Sequence, residues 1–168
     1  MPEFRRELVE LLPRLRRFAS VLTRSHADAE DVVQAAVERA LRHADSWQPG
    51  TRLDSWLYRI MQNLWRDELR AHRRRSEPLE SHADIAGADG RDVTIQHILS
   101  NEARVALDEL PEDQRVVIAL VVLDGMSYQQ TADILDVPVG TVMSRLARAR
   151  AKLAARLGEG PQRVRAAK

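Results

Sequence analysis

Arg145, Arg148, Arg150, Lys152 and Arg156 follow one another at spacings of two to four residues, and no carboxylate interrupts them between Thr141 and Leu157. Cations of one sign on one helical stretch suit a polyanion, because a carboxylate on a phosphate-facing helix would be repelled by the backbone it approaches. Arginine can also fork two hydrogen bonds onto a guanine edge in the major groove, so Arg145 and Arg148 are candidates for base or phosphate contact. The hydroxyls of Thr141 and Ser144 can bond phosphate or base edges. A solvated helical face is the plainer explanation of such a pattern. The absence of mixed signs favours the polyanion.

A second cluster, Asn63, Trp65, Arg66, Asp67, Arg70 and Arg73-Arg74-Arg75, follows an apolar stripe that contains Trp56. Aromatic rings beside arginines can stack on unpaired bases while the guanidinium groups follow phosphates. Trp56 lies on the stripe and is expected in the core; Trp65 lies off it. The arginine triplet also suits a helix C-terminus, where cations complement the macrodipole. The short loop at 46–52 carries Trp47 beside Pro49 and Gly50 and is expected to expose it, either as a simple turn or as a base-capturing loop. A third group is acidic: Asp28, Glu30 and Asp31, next to Val32 and Gln34, open a helix whose N-terminal dipole alone would attract them.

Nothing points to catalysis. The five histidines lack zinc-ligand spacing, there are no cysteines, and neither a phosphate-binding glycine loop nor a nucleophile elbow is present. No metal, cofactor or small-molecule substrate is expected.

The elements that must carry these residues read as helices throughout. Apolar residues from Phe4 to Leu22 make one broad face, with Pro13 inside it predicting a kink or interruption. Ser25 with Asp28, Thr51 with Asp54 and Ser127 with Gln130 have capping-box spacing. The third helix has an expected buried stripe of Leu53, Trp56, Leu57, Ile60 and Leu64. The segment 76–92 carries Pro78, Gly87, Gly90 and five carboxylates against one arginine, and is expected to be a polar, acidic linker. Beyond it, periodicity predicts a helix from Val93 to Leu110 and another started by Pro111. Asp136-Val137-Pro138 then breaks the chain between two helices. The second is striped by Val142, Leu146, Ala149, Leu153 and Leu157. A short helix, a turn and a basic amphipathic helix is helix-turn-helix geometry. The expectation is all-α: a domain at 1–75, a linker at 76–92, a helix-turn-helix domain at 93–157 and a tail at 158–168.

With 168 residues, the chain suits one ordinary domain or two small ones, and a formal net charge of only +1 means that a nucleic-acid surface must come from segregated charge. No apolar run is long enough to span a bilayer, and the start MPEFRRELVELL lacks a signal peptide's uninterrupted core, so a cytoplasmic location is expected.

Three stretches, DAEDVVQAAVERAL at 28–41, SWLYRIMQNLWRDELRAHRRR at 55–75 and LPEDQRVVIALVVLDGMSYQQTADILDVPVGTVMSRLARARAKL at 110–153, occur in this order around the acidic segment. Together they resemble the extracytoplasmic-function subfamily of bacterial RNA polymerase sigma factors, over nearly the whole chain from Leu11 to about Leu157. The resemblance implies binding to core RNA polymerase, recognition of two promoter elements and opening of the DNA. It implies that Asp28, Glu30, Asp31, Val32 and Gln34 dock on the polymerase clamp. Asn63, Asp67 and Arg70, with the Trp47–Arg52 loop and the basic Arg73 and Arg74, would serve the downstream −10 element. Thr141, Ser144, Arg145, Arg148 and Arg150 would serve the upstream −35 element. The acidic linker would run through polymerase, and an anti-sigma factor in a stress response would hold the protein until release, with the two domains packed together or onto that inhibitor.

The chain departs from the family where Ala35 and Ala36 follow Gln34, a place often acidic. It departs again at Trp47 and Gln48-Pro49-Gly50-Thr51, so no base preference carries over. The stretch LLPRLRRFASVLT is similar to the general-stress sigma factors of alphaproteobacteria. Two other classes compete: a stand-alone helix-turn-helix regulator, which would normally read two half-sites as a dimer, and a sigma-mimicking decoy. The decoy has little use for the arginines of the last helix.

Overall fold

The computed structural model describes residues 2–48, 50–75 and 100–162, all helices and short connections. The linker expected at 76–92 and the helix start expected at Val93 lie outside the described residues. The chain divides into two compact units, Met1–Arg91 and Asp92–Lys168.

In the first unit, α1 (Pro2–Thr23), α2 (His26–Arg42) and α3 (Leu53–Arg75) pack around one another. Phe4, Leu8, Leu15, Phe18, Ala19 and Leu22 of α1 are buried, as their spacing predicts. The helix runs through Pro13 without interruption, because Pro13 is exposed and Val9, whose carbonyl loses its intrahelical donor, is open to water. At the start of α2 the Ser25 hydroxyl accepts the Asp28 amide at 3.3 Å.

The buried face of α3 differs from the expected one. It runs through Leu53, Asp54, Leu57, Tyr58, Met61 and Gln62, while Trp56, Ile60 and Leu64 are half-buried. The helix is rotated so that the Tyr58 ring packs on Phe18 with centroids 4.7 Å apart, and Asp54 is drawn inward by arginines. Thr51 and Asp54 form no capping box. The Thr51 hydroxyl donates to the Gln48 carbonyl at 2.7 Å, and Asp54 takes the Ser55 amide at 2.7 Å.

In the second unit α4 (Asn101–Asp108) is capped by Ser100, whose side chain accepts the Ala103 amide. Pro111 caps α5 (Glu112–Ile118), which widens into a π-helical turn over Ala119–Leu123. Gly125, at φ +67, reverses the chain in a conformation that costs side-chain-bearing residues about 1 kcal/mol or more. α6 (Tyr128–Leu135) opens with the full capping box: Gln130 N–H donates to the Ser127 hydroxyl at 3.1 Å and Ser127 N–H to the Gln130 side chain at 2.8 Å. Asp136 ends α6 in left-handed geometry (φ 55, ψ 51), and Pro138 accepts the Thr141 amide at the entry to α7 (Val139–Gln162). Val142, Leu146 and Ala149 are buried against α5 and α6, Leu153 is half-buried and Leu157 is exposed. The apolar stripe thus ends a turn earlier than its periodicity predicts, where α7 outruns the elements it packs on. The helix continues beyond Leu157 to Gln162, and residues 163–168 lie outside the described ones.

Candidate nucleic-acid interface

On α7 the buried residues leave an outward face of Met143, Ser144, Ala147, Arg148 and Ala151, all exposed and beginning in the first turns after the Asp136–Pro138 turn. Arg148 leans back on Ser144, with Nε 3.3 Å from its backbone carbonyl and Nη2 3.2 Å from its hydroxyl, so the two residues form one polar group at the surface. Arg150 and Lys152 are exposed on the flank. Thr141 is half-buried, and its carbonyl accepts the Ser144 hydroxyl at 3.1 Å.

Arg145 is placed differently from expectation. Its guanidinium Nε lies 3.3 Å from Asp113 of α5, and only 23 % of its side chain is exposed. It is committed to holding α7 on α5, a geometry that leaves Arg148 as the arginine on the outer face. Arg156 likewise meets Glu109 at 2.9 Å. Sequence reasoning passed over Met143 and Ala147, because neither is a conventional polar contact. Their signal is positional, since they alternate with the buried Val142 and Leu146 at the start of the helix.

On α3, Asn63, Asp67 and Arg70 meet Arg66, Ile60 and Arg39 of α2 around an open cleft of about 340 Å³. Arg70 is 3.8 Å from Asp67, with both side chains about 70 % exposed, so this pair is a weak surface contact that a ligand can displace. Arg39 was missed by the sequence reading because it belongs to another helix. Arg73 and Arg74 are exposed at the helix end. Trp65 is half-buried, and its indole N–H is buried with no hydrogen-bond partner among the described residues.

The loop between α2 and α3 is a chain of tight turns. A 3-10 turn covers Ala44–Ser46, the Ser46 hydroxyl donates to the His43 carbonyl at 2.6 Å, and the Thr51 amide bonds Gln48. Gly50 takes φ +91 within it. Trp47 is not displayed as expected: its ring packs on Phe4 at 5.6 Å, and its indole N–H is buried. Arg52 forks onto Asp54, Nε to Oδ1 at 3.1 Å and Nη2 to Oδ2 at 2.7 Å, and Arg14 reaches Oδ2 from α1 at 3.2 Å. Burial by itself would raise the Asp54 carboxyl, but the Arg52 hydrogen bonds and charge, the Ser55 amide and Arg14 outweigh it and hold it below the usual carboxylate range. The same hydrogen bond raises Arg52 further.

On α2, Asp28, Asp31 and Gln34 share one exposed face, with Gln34 bonded to Glu38 at 3.1 Å. Glu30 sits at its margin, 3.4 Å from Arg16 of α1. Val32 is 7 % exposed and belongs to the core, so it supports the face from beneath and offers no side chain to a partner. No group of side chains among the described residues is arranged to hold a metal ion.

Two family profiles cover this architecture: Sigma-70 region 2 matches residues 8–75 and Sigma-70 region 4 matches residues 100–153. The chain is 40 % identical over 158 residues to the ECF RNA polymerase sigma factor EcfG of Rhodopseudomonas palustris, covering 91 % of this chain and 84 % of the relative. It is 37 % identical over 147 residues to the ECF RNA polymerase sigma-E factor of Escherichia coli K12, covering 80 % and 77 %. Among solved structures, the sigma factor RpoE of Bartonella quintana, in complex with the anti-sigma factor NepR, superposes with TM-score 0.76 at 31 % identity, over 94 % of this chain and 98 % of that one. CnrH in complex with the cytosolic domain of CnrY gives 0.66 at 28 % identity, over 94 % and 88 %. Paired region 2 and region 4 domains define a sigma-70-type transcription initiation factor. Within that class the chain belongs to the ECF RNA polymerase sigma factors, which direct transcription initiation and are not enzymes.

Proposed function

We propose that the exposed face of α2, Asp28, Asp31 and Gln34 with Glu30 at its edge, docks on core RNA polymerase. The 47–52 loop and the α3 cleft around Asn63, Asp67 and Arg70 serve the −10 element, with Arg73 and Arg74 on flanking phosphates. α7 enters the major groove at the −35 element and reads it through Ser144 and Arg148, with Met143 as an apolar contact and Arg150 on phosphate. The functional domains span 1–75 and 93–157, a reading supported by the family profiles that lie within them at 8–75 and 100–153. The observation that carries this reading is the stretch of α7 from Thr141 to Leu157, free of carboxylates, whose exposed Ser144 and Arg148 follow directly on the helix-turn-helix turn.

We further propose that an anti-sigma factor restrains this chain, as NepR and the cytosolic domain of CnrY are bound in the two related structures. No helix among the described residues is long and apolar enough to cross a membrane, and a cytoplasmic site of action follows from the proposed partnership with polymerase. Run-off transcription with bacterial core polymerase on a promoter library tests the whole. Transcripts that depend on the protein and come from a subset of promoters are expected. Absence of transcripts together with tight polymerase-independent binding to one duplex would overturn it.

A further inference from the structure

The carboxylate of Asp54 is 8 % exposed and no part of the DNA-binding reading uses it. It is held by Arg52 through two hydrogen bonds, by Arg14 of α1 and by the Ser55 amide. At the other end of the same loop, Trp47 packs on Phe4, also of α1. The two attachment points on α1 are ten residues apart, about 15 Å along the helix axis. Between them the loop turns on itself through the Gln48–Thr51 contacts and Gly50. We propose that Asp54 is a positioning residue for −10 recognition, clasping Arg52 to Arg14 so that the 47–52 loop is fixed against α1 before DNA arrives.

The clasp assigns Arg52 a role other than phosphate contact. Its guanidinium spends its planar fork on Asp54, the bidentate arrangement that gives arginine–carboxylate pairs their geometric specificity. A loop that is ordered in advance does not lose its conformational freedom when the DNA opens, and the exposed Gln48 is presented in one place. A phosphate taken on the Nε and Nη2 edge of Arg52 would instead require the bonds to Asp54 to break, leaving a buried carboxylate with fewer partners.

The inference rests on the reading that this loop faces the −10 element, and the experiment separates the two. Full-length protein with core polymerase is assayed on a promoter duplex selected from a randomised library by the wild-type chain, carrying 2-aminopurine across the −10 element. Opening rate, −10 base preference, affinity for core and melting temperature are read for Asp54→Asn, Arg14→Gln, Arg52→Ala and Gln48→Ala. The clasp predicts opening slowed about ten- to a hundredfold in Asp54→Asn and Arg14→Gln. Base preference is broadened, core affinity is unchanged and the Asp54→Asn, Arg14→Gln double variant is no worse than either single one. Arg14→Gln, at a half-exposed side chain, keeps the test informative if Asp54→Asn unfolds. If Asp54→Asn and Arg14→Gln open normally while Gln48→Ala shifts the −10 preference, the clasp is overturned and the loop reading stands. Loss confined to Arg52→Ala, equal on all sequences and erased by salt, also overturns the clasp, by making Arg52 a phosphate contact. If no variant, Gln48→Ala included, alters −10 behaviour, both ideas fall.

Discussion

Arg145 gives its guanidinium to Asp113 while Arg148, on the next turn of α7, leans on Ser144 at the surface. Removing each therefore has a different signature. Arg148→Ala is expected to weaken −35 binding by about 1–3 kcal/mol and to relax base preference there. Arg145→Ala is expected to cost at most about 1 kcal/mol of stability, since Asp113 is partly solvated, and to weaken binding equally on all sequences. Thermal melts beside binding to a panel of −35 duplexes by the polymerase-bound protein separate them. At Asp54 the folded-state carboxyl is held below its unfolded value of about 3.9. Its contribution is therefore complete above that value and disappears as pH falls through the folded one. Acid unfolding of the wild type should show this loss below about pH 4, and Asp54→Asn should flatten that limb of the curve; an unchanged limb would deny the carboxylate its stabilising role.

Among the elements, α6 depends most on its ends. It is eight residues long, too short to be stable from propensity, so the reciprocal Ser127–Gln130 bonds and the burial of Thr131, Ala132, Ile134 and Leu135 hold it. Ser127→Ala should destabilise it by about 1 kcal/mol, read as faster amide exchange in α6 than in α3 of the same molecule. The loop before α3 shows the opposite economy. It has little regular structure, yet Trp47 on Phe4 and Arg52 on Asp54 tie it to the helices. Such ties let a loop carry recognition without the entropy cost of ordering on contact.

For the molecule as a whole, charge segregation matters more than net charge. The sum is +1, yet α7 carries no carboxylate from Thr141 to Leu157 while the exposed face of α2 opens with Asp28 and Asp31. One chain can thereby offer an anionic face to a protein partner and a cationic face to DNA. Asp31→Lys is expected to weaken core polymerase binding without lowering the melting temperature, because Asp31 is exposed. Titration of labelled protein with core polymerase, alongside a melt, checks both halves. A loss of stability equal to the loss of binding would make Asp31 structural.

Periodicity and punctuation determined much of this protein by themselves. The helical class, the cap at Ser127, the break at Asp136-Val137-Pro138 and the buried Val142, Leu146 and Ala149 all follow from short-range rules that act within a turn or two. Order and spacing of three motifs carried the family, which the region 2 and region 4 profiles bear out. What the tertiary structure alone decided are contacts between residues far apart in sequence. Arg14 and Asp54 are forty positions apart, as are Phe18 and Tyr58, and only these meetings show that α3 buries Asp54 and Tyr58 rather than its expected stripe. Arg145 was indistinguishable from Arg148 until Asp113 lay beside it, and Val32 joined an acidic face only on paper until packing buried it. Charge and hydropathy say what a side chain can do, but which face of a helix is free to do it is settled by what packs on the other.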